Sequence, residues 1–428
     1  MNTFALATLG CKVNQYDGDD IRQRLRGYRQ VDFSEAADLY IVNTCGVTAE
    51  AEAKARQLLR RAKRTKPNAF LVLTGCYRPE DQERLRALGV DLFVSNTQKA
   101  RLPELLEHER FGTGVGNSAR DETAVPDMRT ARSGQERTRA FVKVQDGCDQ
   151  RCSYCAIPDF RGTPTSRTID KVIDEVRGLS VAGVPEAVLT GIHLGNYGLD
   201  LEGTPDLALL TAVLLRETGI PRLRLSSLEP QEVTDDLIEL MSAEKRLARH
   251  FHLPLQSGSD RILERMNRPY DSAGFRETVS RVKKIIPDIG LTTDVMVGFP
   301  GESNTDFEET LELIESCGFS RLHVFKFSPR PGTPAAAMPE TVAETERSSR
   351  AARTRELGGR LGAKFGARFV GKRVEVVVEP PKAGAQTGLT GEYLRVEFNQ
   401  PVAPAGRICH VWVERSENGF LEGRIQDE

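Results

Sequence analysis

The chain of 428 residues carries a formal net charge of only -2, so no overall field draws it to nucleic acid. Any such binding must come from local patches. No apolar run approaches bilayer length, which excludes a spanning helix, and the N-terminal residues lack a signal-peptide pattern. The expected location is therefore cytoplasmic, with no membrane contact. Thiols stay reduced there, so the eight cysteines suggest metal rather than disulfides. Tryptophan occurs once, as Trp412, which alternates with valines and reads as core rather than as a base-stacking platform. A content of 39% hydrophobic and 28% charged residues fits a soluble globular protein, and the length allows two or three domains with substantial cores.

What the chain does have is a concentration of thiols. Cys148, Cys152 and Cys155 fall within eight residues, in the stretch Gly147-Cys148-Asp149-Gln150-Arg151-Cys152-Ser153-Tyr154-Cys155. Thiolates this close suit three irons of a single cube, leaving the fourth iron without a protein ligand. An open metal position distinguishes a catalytic site from a closed structural one. A zinc knuckle or a disulfide is the alternative, but this spacing leaves either one incomplete, since no further Cys or His follows within thirty residues.

Three apolar runs in the first hundred residues each end in a cysteine. Phe4–Gly10 leads to Cys11, Leu39–Thr44 to Cys45, and Phe70–Gly75 to Cys76. Helix-like segments follow at Asp19 to Arg26, Ala49 to Arg64 and Pro79 to Leu88. Short apolar runs alternating with amphipathic helices predict βαβ units and a parallel sheet, whose C-terminal strand ends share one ligand-binding edge. Cys11, Cys45 and Cys76 are therefore expected to converge and to hold a second cluster with one open iron. The bland alternative is three buried cysteines acting as small hydrophobes, the role assigned to Cys317 and Cys409.

Residues 112–138 are rich in Gly, Ser, Arg and Asp without an apolar period, and a linker is set at 112–133. Beyond it, strand candidates at Phe141–Val144, Ala187–Leu189, Leu223–Leu225, His250–Leu253, Leu291–Val297 and Leu322–Phe327 alternate with helical patterns. A full barrel of this kind needs eight repeats, so six predict an incomplete, laterally open (β/α)6 partial TIM barrel. The Cys148–Cys155 loop follows its first strand, on the face where barrel chemistry sits. From about Lys364 the character changes to short alternating strands, as in Val374–Val378, Tyr393–Phe398 and Ile408–Val413. The expected fold class is α/β. A parallel α/β domain at 1–111 precedes the barrel at 134–363, and a small β-barrel follows at 364–428.

The Cys-x3-Cys-x2-Cys loop after the first strand of a six-repeat barrel resembles the radical S-adenosylmethionine enzymes. With Leu9-Gly10-Cys11, Asn43-Thr44-Cys45 and Thr74-Gly75-Cys76 upstream, the chain resembles their methylthiotransferase subfamily. Further matching stretches are Leu189–His193, Ser226–Pro230, His252–Ser259 and Gly298–Glu302, so the resemblance covers essentially the whole chain. It implies two 4Fe–4S clusters, held by Cys148, Cys152 and Cys155 and by Cys11, Cys45 and Cys76, with S-adenosyl-L-methionine as cofactor. Around that cofactor it implies Tyr154 packed on the adenine, backbone contacts at Thr190 and Gly191, and Glu229 accepting from the ribose or amino group. Gly191 as a turn residue and Glu229 as a helix-start acid are the plainer readings. The C-terminal segment resembles a TRAM domain, which binds RNA.

Members of the subfamily modify isopentenylated or threonylcarbamoylated adenosine in tRNA, or an aspartate of a ribosomal protein. The stretches Cys11-Lys12-Val13-Asn14-Gln15 and Cys45-Gly46-Val47-Thr48 resemble the threonylcarbamoyladenosine branch, while Arg161–Arg167 departs from the commonest form. The implied partners are tRNA, a low-potential electron donor and a sulfur donor. A solvated basic face is the ordinary reading of Lys54, Arg56, Arg60, Arg61, Lys63, Arg64 and Lys66, but its place after Cys45 also suits tRNA docking. Arg347, Arg350, Arg353 and Arg355 form a second basic run. A non-catalytic electron-transfer protein and a zinc-bearing RNA-binding module are the alternatives from other classes.

Overall fold

A computed structural model describes residues 3–111, 138–381, 385–398, 403–417 and 419–426; the expected linker at 112–133 lies outside them. The chain divides into two compact units. The first contains Met1–Ser133, Asp146–Gln150 and Cys155–Pro164; the second contains Gly134–Gln145, Arg151–Tyr154 and Thr165–Glu428.

The first unit is built on parallel strands β1 (Thr3–Thr8), β2 (Leu39–Thr44), β3 (Phe70–Gly75) and β4 (Leu92–Val94), side by side in that order, with Arg29–Gln30 on the outer edge of β1. All six residues of β2 are buried because helices cover both faces of the sheet, as parallel sheets require. One apolar cluster joins Tyr40, Val42, Leu71 and Leu73 to Ala55, Leu59 and Ala62 of α2 (Ala49–Thr65). The opposite cluster joins Leu39, Ile41 and Val72 to Ile21 of α1 (Lys12–Arg24) and to Leu102 and Leu106. Helix α1 begins directly after Cys11, seven residues earlier than its apolar pattern indicates. Its buried face includes Asn14, Asp17 and Gly18 beside Val13 and Ile21, so no apolar period marks the first turns.

In the second unit, β5 (Arg139–Lys143), β6 (Glu186–Thr190) and β7 (Arg222–Leu225) form one parallel sheet. A second consists of β8 (His250–His252), β9 (Gly290–Val297) and β10 (Arg321–Lys326). Parallel bridges from Leu223 to Leu247 and from Ser227 to His252 join β7 to the β8 region, so six strands curve in chain order. Among the described residues β5 and β10 are its two edges, which makes a partial barrel. Helix α4 (Glu344–Ala367) covers β10 and carries Phe365 into a separate core inside a closed five-stranded barrel. That barrel comprises β11 (Arg373–Val378), β12 (Gln386–Thr390), β13 (Arg395–Phe398), β14 (Ile408–Glu417) and β15 (Phe420–Ile425).

A buried ion cluster fastens the small barrel to the partial one. Glu186 is fully buried, with Arg224 Nε at 2.8 Å and Arg222 Nη1 at 3.5 Å. Burial alone would raise its pKa, but the two arginines hold it below the ordinary carboxylate value. The same guanidinium groups donate to the carbonyls of Leu389, Thr390 and Gly391, each at 2.9 Å. Removing one member leaves buried, uncompensated charge, so Glu186→Ala is expected to cost about 3–5 kcal/mol. The check is urea unfolding followed by fluorescence of Trp412 on β14. A midpoint equal to that of the wild type would show that the cluster does not carry this load.

Candidate functional site: two sets of cysteines

The parallel register of β1, β2 and β3 sets Thr8 beside Asn43 and Asn43 beside Thr74, so the three chains leave the sheet at one edge. Cys11, Cys45 and Cys76 stand on those exits. The Cys76 N–H donates to the Thr44 carbonyl at 3.1 Å. Gly10 has φ +95°, and a Cβ there would lie 2.8 Å from Cys45 Sγ. A Cβ on Gly46 would lie 2.6 Å from the Cys76 carbonyl oxygen. Glycine is thus required twice for the cysteine-bearing loops to approach each other. Cys45 and Cys76 are buried and Cys11 is exposed. Burial pushes the Cys45 thiol up to about 11, with further upward pressure from the Cys76 and Cys11 thiolates. Burial likewise raises Cys76, while Arg161 and Lys99 oppose the rise.

Those two cations belong to a polar layer under the thiol edge. Lys99 Nζ pairs with Asp17 at 2.7 Å. Arg161, at the end of α3 (Ile157–Arg161), donates to Asn14 Oδ1 at 2.8 Å and to Asp17 at 3.2 Å. It also grips both oxygens of Asp146, at 2.8 and 2.9 Å, and hydrogen-bonds the Cys76 thiol. Asn14 Nδ2 in turn donates to the carbonyls of Leu9 and Thr44, tying α1 to two of the cysteine loops. Arg161 Nε is buried with no partner among the described residues. Soft thiol donors backed by buried cations, with an N–H left over, suit a negatively charged iron–sulfur group.

Two cysteines of the loop set also pack in the first unit. The Cys148 N–H donates to the Gly162 carbonyl at 3.1 Å, and the Ile157 N–H points to Cys155 Sγ at 3.5 Å. Gly147, at φ +76°, lets the chain pass against the Thr163 carbonyl where any Cβ would collide.

Cys152 packs in the second unit. Arg268 Nη1 donates to its Sγ at 3.3 Å, and the other end of that guanidinium pairs with Glu229. Burial raises the Glu229 pKa against the pull of Arg268. Ser153 is pinned to the Met266 and Arg265 carbonyls at 2.9 and 2.8 Å. Tyr154 packs against a core of Ile262, Met266, Phe299 and Phe327. Thr190 is buried at the end of β6, where its carbonyl accepts from Val144 N–H at 2.9 Å. Gly191 follows, against Gln145, whose Oε1 accepts from the His193 N–H at 2.8 Å.

Sequence reasoning assigned no role to Lys99, Arg161 or Arg268. Lys99 had a signal, because it follows the fourth strand at the same sheet edge. Arg161 and Arg268 carry no periodic pattern, and only their burial beside cysteine shows what they do.

The fold and cysteine loop define a radical S-adenosylmethionine protein, and comparison with known sequences agrees. Residues 142–314 match the Radical SAM superfamily, and residues 3–95 match the uncharacterized protein family UPF0004. The threonylcarbamoyladenosine tRNA methylthiotransferase MtaB of Bacillus subtilis is 35% identical, covering 100% of this chain and 98% of its own. The protein of the same name from Chlamydia pneumoniae is 38% identical, covering 99% and 98%. A tRNA-2-methylthio-N(6)-dimethylallyladenosine synthase from Acetivibrio thermocellus is 34% identical, covering 99% and 90%. Among solved structures, the radical S-adenosylmethionine methyltransferase TsrM of Kitasatospora setae shares the fold, with TM-score 0.57 at 16% identity over 78% of this chain and 75% of its own. The chain belongs to the radical S-adenosylmethionine methylthiotransferase family. Its cofactor chemistry is that of S-adenosylmethionine and 4Fe–4S clusters.

Gly10→Ala tests the packing of the sheet edge. The added methyl enters the space of Cys45 in a backbone conformation that alanine resists. Anaerobic reconstitution is expected to give about eight irons per wild-type chain and about four in the variant. Full iron content in the variant would contradict the packing described.

Proposed function

We propose that this chain is a tRNA methylthiotransferase that converts N6-threonylcarbamoyladenosine beside the anticodon to its 2-methylthio derivative. One observation carries the reading. Three thiols, each more than thirty residues from the next, stand at one sheet edge in a chain that also bears the radical S-adenosylmethionine cysteine loop. The relatives named for threonylcarbamoyladenosine support the choice of substrate.

In this reading Cys148, Cys152 and Cys155 hold one 4Fe–4S cluster, and Cys11, Cys45 and Cys76 hold the other. Bound there, the cofactors supply hydrogen-atom abstraction and sulfur for a carbon whose proton no side-chain base can remove. The residues supply position and charge. Lys99 and Arg161 lower the cost of ionising the buried Cys76, and Arg161 does the same for the buried Cys45. Arg268 neutralises charge at Cys152 and fixes the Glu229 carboxylate. Tyr154, the backbone at Thr190 and Gly191, and Glu229 contact the S-adenosylmethionine. Turnover draws on a low-potential electron donor and a sulfur donor. Among the described residues no helix is long and apolar enough to cross a membrane, and a tRNA substrate puts the chain in the cytoplasm. The three domains are taken as 1–111, 134–363 and 364–428.

A second reading, isopentenyl-type adenosine as substrate, is favoured by relatives named for dimethylallyladenosine at 31–35% identity over the whole chain. Nucleoside analysis of tRNA from a strain lacking this protein separates the two. Loss of the 2-methylthio group from threonylcarbamoyladenosine alone supports the first reading, and loss from the isopentenyl nucleoside establishes the second.

Lys63 and Lys66 on and after α2 are engaged with Asp91 and Asp38, whereas Arg60, Arg61 and Arg64 are exposed. Reversing the charge of these three arginines is expected to weaken tRNA binding at low salt and to flatten the plot of log Kd against log salt concentration. An unchanged slope would remove this face from the tRNA interface.

A further inference from the structure

The inner face of β9 and β10 carries polar and aromatic groups that the roles above do not use. Leu322 of β10 lies under α4, against Gly358, so strand alternation turns His323 and Phe325 to the opposite, inner side. Register sets Asp294 beside His323 and Met296 beside Phe325, which puts all four on that face. His252 of β8 joins them. Its Nε2 lies 3.3 Å from Asp294 Oδ1, and His323 Nδ1 lies 3.3 Å from the same oxygen.

The hydrogen-bond pattern gives the two imidazoles different roles. Burial alone would raise the pKa of Asp294, but the two imidazole N–H groups hold it well below the usual carboxylate range. His252 also engages Thr292 Oγ1 through Nδ1, at 2.9 Å, so both its nitrogens are occupied. His323 is engaged at Nδ1 by this group, its side chain is 38% exposed, and its Nε2 has no hydrogen-bond partner among the described residues. Phe325, two residues along, is 47% exposed. An aromatic ring this exposed is unusual on the inner face of a barrel strand. Same-face neighbours two residues apart lie about 7 Å from each other. Met296, beside Phe325, packs in the cluster that includes Tyr154 of the cysteine loop.

We propose that Phe325 and His323 form the recognition site for the target nucleobase. Phe325 offers the face on which the purine stacks, and His323 Nε2 hydrogen-bonds the polar, acid-bearing substituent on N6. Asp294 is the positioning residue that fixes the orientation of His323. The inference rests on the substrate reading above, because a threonylcarbamoyl group carries a carboxylate and a hydroxyl while an isopentenyl group carries neither. An N–H at His323 Nε2 gives the carboxylate a hydrogen-bond donor. An apolar substituent leaves the imidazole without a partner, and a site built to hydrogen-bond its substrate rejects such an analogue. Aromatic stacking accepts either purine.

The test uses the cluster-loaded enzyme under anaerobic conditions with anticodon stem-loops, read by fluorescence anisotropy. One loop carries threonylcarbamoyladenosine, a second carries its methyl ester, and a third carries isopentenyladenosine. The wild type is expected to bind the free acid about tenfold tighter than the other two, the worth of one good hydrogen bond. His323→Phe is expected to bring the three Kd values within about twofold of one another, and His323→Gln, which keeps a donor, to retain part of the preference. Phe325→Ala is expected to weaken all three by about tenfold or more without changing their ratio. Preference persisting in His323→Phe would overturn the role of the histidine while leaving the substrate reading intact. A wild type that prefers the isopentenyl loop would overturn the substrate reading and this inference with it.

Discussion

Parallel pairing of β1, β2 and β3 is the constraint on which the N-terminal cysteine site depends. A parallel sheet sends all its strands out at the same edge, so residues far apart in sequence become neighbours at no cost beyond forming the sheet. Antiparallel pairing of the same runs would put alternate cysteines at opposite edges. Burial on both faces fixes the register, since a one-residue slip would turn the apolar set of β2 away from one of its two cores. The geometry at the edge is then set by small details, above all the glycines at positions 10 and 46, which let the loops close on each other.

Bringing thiols together under a protein surface has a cost that the rest of the layer offsets. A buried thiol resists ionisation, as the upward shifts of Cys45 and Cys76 show, yet a metal needs the thiolate. Lys99 and Arg161 favour the ionised form, and Asp17, Asn14 and Asp146 keep those cations from being buried alone. The polar residues on the buried face of α1 are therefore part of the site rather than defects in a core. Arg161 also has a second effect. It lies six residues after Cys155, so its contacts with Asn14, Asp17 and Asp146 hold the segment that follows the cysteine loop against the sheet-edge layer.

What could be read from the sequence follows from the same physics. The cysteine spacing, the strand-then-cysteine rhythm and the six-repeat alternation are carried by apolar runs, and the structure reproduces the strands of both units within a residue or two at most ends. Elements whose buried faces are polar escaped notice. The start of α1 was one, hidden by Asn14, Asp17 and Gly18. Two strands of the small barrel were others, because β12 and β15, Gln-Thr-Gly-Leu-Thr and Phe-Leu-Glu-Gly-Arg-Ile, carry too little apolar alternation to announce strands, although the barrel itself is expected from its other strands. Glu186, Arg222 and Arg224 carry no apolar signal, yet they lie inside, where the carboxylate and the two guanidinium groups pair. Periodicity detects a face that avoids water, not one that is buried because its charges are matched.

The partial barrel shows the same rule on its inner wall. At one end of β8 and β9, His250 stacks on Tyr393 of the small barrel, and Glu186 with its arginines closes the space through ion pairs. Moving along β9 toward its C-terminal end, the facing groups change from fully buried Thr292 to partly exposed Asp294 and Met296, and on β10 to His323 and Phe325. The polar groups packed for stability, Glu186 with Arg222 and Arg224, find their partners within the buried layer. His323, which remains partly open on the last strand of an unclosed barrel, is held at Nδ1 by Asp294. Such an arrangement costs conformational freedom before any ligand arrives. That cost reduces what remains to be lost on binding, so a wall of this kind gains most from a ligand that brings both a flat ring and a hydrogen-bonding acid.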